Sequence, residues 1–74
     1  MDKLNAISIF CKVIETQSFT KAAALQNISV AMASKLVSQL EEQLKTRLLQ
    51  RTTRKIVPTE AGSLYYQHCQ PILL

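Results

Sequence analysis

Residues 18–40 read SFTKAAALQNISVAMASKLVSQL, and this stretch decides the fold. Ser18 and Ser29 each stand where a side-chain oxygen can cap the free N–H groups of a helix. Behind Ser18 runs a short helix, Phe19 to Leu25, whose Ala22, Ala23 and Ala24 let a second helix approach closely. Gln26-Asn27-Ile28 is the turn. Behind Ser29 a longer helix runs to about Lys45. Val30, Ala33, Leu36, Val37, Leu40 and Leu44 line one face, while Ala31, Ser34, Lys35 and Ser38 occupy the other in its first half. A short helix, a tight turn and a longer Ser-capped helix is the sequence form of a helix-turn-helix, whose second helix enters the major groove of DNA.

The placement of charge supports that orientation. A carboxylate is repelled near phosphate, and in the longer helix Glu41 and Glu42 are kept to the C-terminal half, so the N-terminal half is the end that can insert. Further on, Glu42 and Glu60 bracket a stretch without acids. It holds Lys45, Arg47, Arg51, Arg54 and Lys55, five of the nine positive charges in a chain of net charge +4. The net excess alone is common among ordinary proteins, but its concentration in one block points to a phosphate-facing surface.

Toward the N-terminus, Leu4 to Thr16 is a helix with Asp2 as its cap and Leu4, Ile7, Phe10, Cys11, Val13 and Ile14 on its packing side. Toward the C-terminus, Arg51-Thr52-Thr53-Arg54-Lys55-Ile56-Val57 is β-branched and basic and stops at Pro58, which suits two short strands joined by a turn, a wing. Thr59 then caps a fourth helix from Glu60 onward. Its Ala61, Leu64, Tyr65, His68 and Ile72 recur at helical spacing as an exposed stripe that needs a partner. Pro71 is expected to kink or stop this helix close to Gln70. The apolar ending Ile72-Leu73-Leu74 suggests a domain excised from a longer chain. The expected fold is mainly α, a winged helix-turn-helix with a three-helix core, a small β-hairpin wing and a C-terminal linker helix. Residues 1–58 form the DNA-binding domain, with the helix-turn-helix at about 18–38 and the wing at about 50–57; residues 59–74 begin a truncated linker and dimerisation helix.

Composition narrows the function classes. Seventy-four residues make one small domain, which buries roughly 60% of its unfolded surface. With 47% apolar residues, one Gly and no Trp, helices should dominate. No apolar run approaches the roughly 18 residues of a membrane span, and no export signal opens the chain. Cys11 and Cys69 lie far apart without C-x-x-C spacing, which fits a reducing cytoplasm. One His and one Gly leave no Gly-rich phosphate loop and no nucleophile, base and orienter set, so an enzyme is not expected. His68 and Cys69 are neighbours that point in different directions on a helix, so no metal is expected, nor any cofactor in this domain.

The same residues resemble a family, the N-terminal domain of LysR-type transcriptional regulators, bacterial winged helix-turn-helix proteins that bind DNA as dimers or tetramers. The resemblance covers almost the whole chain. It is carried by Ser18-Phe19-Thr20 with Ala22-Ala23, by Ser34, by Leu40-Glu41, by Leu48-Leu49 with Arg51-Thr52-Thr53-Arg54, and by Thr59-Glu60-Ala61-Gly62. It implies a third helix in the major groove, Arg54 in the flanking minor groove and a fourth helix that pairs with its twin in a homodimer. It also implies a following effector domain that takes a small molecule. Some positions depart from the family. Val30 stands where a polar residue, often Gln, is usual, Lys35 where Arg is common, and Met32 and Leu36 replace small or polar choices. With fewer bidentate donors, Val30, Ala31 and Met32 are expected against thymine methyls, and recognition leans further on DNA shape and the wing.

Among individual sites beside the Ser29 cap, Thr20, Ser34, Ser38, Arg51 and Thr53 are placed on phosphates. Thr20 and Ser38 read equally well as plain surface. Lys35 is the leading base-edge candidate, able to reach guanine acceptors, with a phosphate contact or a solvated lysine as its alternative. Arg54 suits a narrow minor groove; Lys55 fits solvent as well as it fits DNA. Double-stranded DNA and a second copy of the chain are the expected partners. The rival reading is a helical protein-interaction module whose basic segment is merely solvated.

Overall fold

The computed structural model describes residues 3–51 and 56–73, the last two as backbone alone. Helices α1 (Lys3–Thr16), α2 (Phe19–Gln26) and α3 (Val30–Leu44) pack pairwise on one another; β1 (Leu49–Arg51), β2 (Ile56–Pro58) and α4 (Glu60–Leu73) follow. Asp2 and residues 52–55, with Thr53, Arg54 and Lys55, lie outside the described residues, as does the side chain of Ile72.

Both serines cap as their position dictates. Ser18 Oγ accepts the N–H of Lys21 at 3.1 Å and Ser29 Oγ that of Met32 at 3.0 Å. α2 and α3 also end alike. Asn27 (φ 58°) and Lys45 (φ 53°) turn left-handed, and the N–H groups of Ile28 and Thr46 reach back to the carbonyls of Ala23 and Glu41, each at 3.0 Å. This Schellman closure satisfies carbonyls a helix end would otherwise leave free.

The core is drawn from every element but β2. Ile9, Phe10 and Val13 of α1 meet Val37 and Leu40 of α3 and Leu48 and Leu49 at the root of the hairpin, while buried Ala22, Ala23 and Ala33 keep the helices close. Two expected core positions are instead open to solvent: Leu4 is 61% exposed and Val30 45%. Each sits in the first turn of its helix, where side chains lean back toward the N-terminus and project past the packed layer.

The hairpin is antiparallel, with Leu49 opposite Pro58, Gln50 opposite Val57 and Arg51 opposite Ile56. Pro58 therefore lies in the second strand rather than after it. A two-stranded ribbon has only edges, so a residue without an N–H is tolerated there. At the hairpin's root the chain clasps α4. Thr59 N–H donates to the Leu48 carbonyl at 3.0 Å, and Thr59 Oγ1 donates to the Arg47 carbonyl at 2.6 Å while accepting the N–H of Gly62 at 2.9 Å. Gly62 is required at this approach, because a Cβ there would run into the Leu48 carbonyl oxygen.

α4 does not stop near Gln70: it continues through Pro71 to Leu73. Proline removes the bond its N–H would make to the Gln67 carbonyl, but so near the helix end few further bonds depend on that turn. The stripe expected on α4 also divides. Tyr65 is half-buried, its ring 5.8 Å from that of Phe10, and Ala61 is half-buried, while Leu64 and His68 face outward. Cys69, the residue beside His68, is buried. Among the described residues no helix is long and apolar enough to cross a membrane.

Candidate nucleic-acid interface

Three parts of the chain converge beside the N-terminal half of α3. Arg51 of β1 is their meeting point. Its Nη1 donates to Ser34 Oγ at 3.0 Å and its Nη2 to Ser38 Oγ at 3.4 Å, a longer and weaker bond. Its guanidinium carbon lies 4.8 Å from the ring centroid of Phe19, the first residue of α2, at cation–π range. The start of α2, the outer side of α3 and the root of the wing thus form one surface. Thr20, beside Phe19, is exposed on it.

The N-terminal tip of α3 is apolar. Val30, Ala31 and Met32 are all exposed and fan around the first turn on successive helix positions, flanked by the Ser29 cap. One turn on, Ser34 is half-buried and Lys35 and Ser38 are exposed. Among the described residues Lys35 has no side-chain partner, so its ammonium is free to reach outward. The structure thereby brings Ser34, Ser38 and Arg51 into contact and sets Lys35 on the same face.

Arg51 differs from its expected role in one respect: its fork is turned onto two serines of the reading helix rather than outward. Its sequence position at the opening of the wing showed proximity to the helix but not this bond, which depends on the register of β1 against α3.

Glu41 lies in the C-terminal half of α3 as expected, but its role is one the sequence does not show: it is 8% exposed, with Oε2 accepting the backbone N–H groups of Leu48 and Leu49 at 2.8 and 3.1 Å. Its other oxygen lies 3.9 Å from Arg47 and 4.0 Å from Arg51. Only its burial is signalled by the spacing: Glu41 follows Val37 by four residues on the inner side of α3, where a carboxylate must find donors. Glu42, on the outer side, is exposed.

Nothing near this surface is arranged for metal binding: among the described residues no group of three or more His, Cys, Asp or Glu could hold an ion. On the opposite flank, Tyr66 donates to Glu15 Oε2 at 2.9 Å and ties α4 to the end of α1. Burial, aided by that hydrogen bond, raises the Tyr66 hydroxyl above its ordinary value.

Comparison with known proteins places this geometry. Residues 4–63 match the model of a family described as bacterial regulatory helix-turn-helix protein, lysR family. An "uncharacterized HTH-type transcriptional regulator" of Haemophilus influenzae is 88% identical over 74 residues, covering 100% of this chain and 26% of that protein. The HTH-type transcriptional activator AaeR of Escherichia coli is 48% identical over 73 residues, 99% of this chain and 24% of that one. This chain therefore spans about a quarter of the length of the curated relatives it matches. Among solved structures, the DNA-binding domain of BenM in complex with benA site 1 DNA superposes with a TM-score of 0.90 at 37% identity, covering 95% of this chain and 79% of that one.

Proposed function

This chain belongs to the LysR family of bacterial regulatory helix-turn-helix proteins, and from that premise we propose how its parts divide the work of recognising DNA. The N-terminal half of α3 enters the major groove of double-stranded DNA. Lys35 and Ser34 reach base edges there, while Thr20 and Ser38 lie along the phosphates at the groove's margin. The wing contacts the flanking minor groove through Arg54, with Thr53 on phosphate and Lys55 on DNA or in solvent.

One observation carries this reading. The N-terminal half of α3 is exposed, free of carboxylates and joined through Arg51 to both the wing and α2, so the surfaces that would meet groove and backbone are held in one orientation. The complex formed by BenM with its DNA site supports it.

The regulator acts as a homodimer in which α4 pairs with its twin through Leu64 and His68, setting two reading helices about one DNA turn, or a multiple of it, apart. A small-molecule effector is taken by a further domain of the full-length protein, a tetramer is open to that protein, and the whole works in the cytoplasm.

Titration of the full-length protein against genomic DNA fragments at several salt concentrations tests the DNA reading. The logarithm of the affinity should fall linearly with that of the salt, by about 0.9 for each phosphate neutralised. A folded dimer that binds no DNA at low salt overturns the reading in favour of a protein-interaction module.

A further inference from the structure

We infer that Arg51 is a positioning residue that sets the hydrogen-bonding polarity of the reading helix, so that α3 selects base edges rich in acceptors, guanine first among them. The inference rests on the major-groove reading above. It starts from the valence of a serine hydroxyl, which carries one donor and two acceptor sites and can turn to suit either kind of partner. In this structure that freedom is curtailed. The guanidinium directs N–H groups at the oxygens of Ser34 and Ser38, at 3.0 and 3.4 Å.

A guanidinium stays charged and has no acceptor of its own, so each hydroxyl proton must turn away from it. Accepting a hydrogen bond from a cation also polarises the hydroxyl, making it a better donor and a poorer acceptor. Residues 30–38 contain three polar side chains, Ser34, Lys35 and Ser38. Lys35 is a donor only. The rest of the exposed tip offers no polar atom at Val30 and Ala31 and only a weak thioether acceptor at Met32. Glu41 is buried, its Oε2 held by the backbone of Leu48 and Leu49 and its Oε1 turned toward Arg47 and Arg51. The face therefore donates and scarcely accepts.

The major-groove edges of the bases answer this differently. Guanine presents two adjacent acceptors, N7 and O6, whereas adenine sets an amino group beside its N7 and cytosine offers an amino group alone. Thymine offers the single acceptor O4, so a donating face finds two adjacent acceptors on one base only at guanine.

The test uses the full-length protein and duplexes selected from a randomised library. Selected half-sites should hold a guanine at a constant position, and replacing it with adenine or 7-deazaguanine should weaken binding roughly 5- to 150-fold. Ser34→Ala and Arg51→Gln, whose carboxamide is neutral and can also accept, should each erase most of that preference while leaving the salt slope unchanged. Together they should do no more than either alone, since both act through one contact. Selected sites without guanine overturn the inference. So does an Arg51→Gln protein that keeps the preference, or whose salt slope flattens by about 0.9, because Arg51 is then an ordinary phosphate cation. If Arg51→Gln does not fold, a folded Ser34→Ala protein decides: unchanged preference, or equal loss on every sequence, refutes the assignment. Wild-type protein that binds no DNA would instead fail the major-groove reading itself.

Discussion

The carboxylate of Glu41 holds the backbone N–H of Leu48 at 2.8 Å and, with the same oxygen, that of Leu49 at 3.1 Å. The reading helix is thereby bonded to the root of the wing at a buried point. Glu41→Ala leaves two N–H groups without an acceptor, at a cost of about 1–3 kcal/mol each. The expected outcome in urea denaturation is a loss of about 2–5 kcal/mol, with Glu41→Gln losing less because it keeps one acceptor. A change below about 0.5 kcal/mol would show that water replaces the carboxylate.

Gly62→Ala should be as disruptive for a different reason. Its Cβ meets backbone, the Leu48 carbonyl, which cannot rotate aside as a side chain can. Overpacking of this kind costs about 1–3 kcal/mol, and thermal melting will show it. An unchanged melting temperature would mean that α4 shifts freely on its seat.

Lys45→Gly should stabilise the domain. Lys45 is exposed and closes α3 at φ 53°, a conformation that costs an L-residue about 1–2 kcal/mol. Part of that relief is cancelled by glycine's greater freedom in the unfolded chain, leaving a net gain of about 0.5–1 kcal/mol. Denaturant midpoints measured on the variant will give its sign.

Alkaline pH should loosen the seam between α1 and α4. Burial pushes the Cys11 thiol from 9.0 up to about 11, with Cys69 and Glu15 adding to the rise; burial likewise carries the Tyr65 hydroxyl from 10.0 to about 12, helped by Cys69. Both shifts favour the protonated, neutral form in the folded state. The stability they represent is complete below the unfolded values and is lost as pH rises through the folded ones. Melting temperatures should hold steady up to about pH 9 and fall beyond it, and Cys11→Val should remove the first part of that fall. A melting curve flat through this range refutes the account.

Self-association through α4 is checked by sedimentation of the full-length protein. Leu64 is 53% exposed on a helix whose inner side is already spent on Phe10 and α1. Leu64→Glu should shift the dimer toward monomer, since a charge is placed in an apolar contact. If the variant stays dimeric, the pairing surface lies elsewhere.

The frame of this domain could be read along the chain because local rules fixed it: serine caps at Ser18 and Ser29, and the turn Gln26-Asn27-Ile28 between them. α4 was legible as a helix but not in its facing, since Tyr65 and Leu64 are both apolar and only the position of Phe10 decides which turns inward. The candidate site was legible as a list and not as an arrangement. Ser34, Ser38 and Arg51 were named singly, whereas the fork that joins them spans 17 residues of sequence from Arg51 to Ser34 and depends on tertiary placement. Glu41 was obscured by its own charge: a carboxylate next to Glu42 suggests solvent, and the donors that bury it belong to the backbone, which any sequence supplies.

The peptide group at Leu48 gives its N–H to Glu41, while the residue's carbonyl takes the N–H of Thr59 and touches Gly62. A single residue is thus a shared hinge pin for the head and its stalk. Anyone grafting this head onto the body of another regulator should splice downstream of Gly62 and carry residues 41–62 across as one cassette. A junction placed at the natural-looking break between Pro58 and Thr59 would separate the pin from one of its sockets.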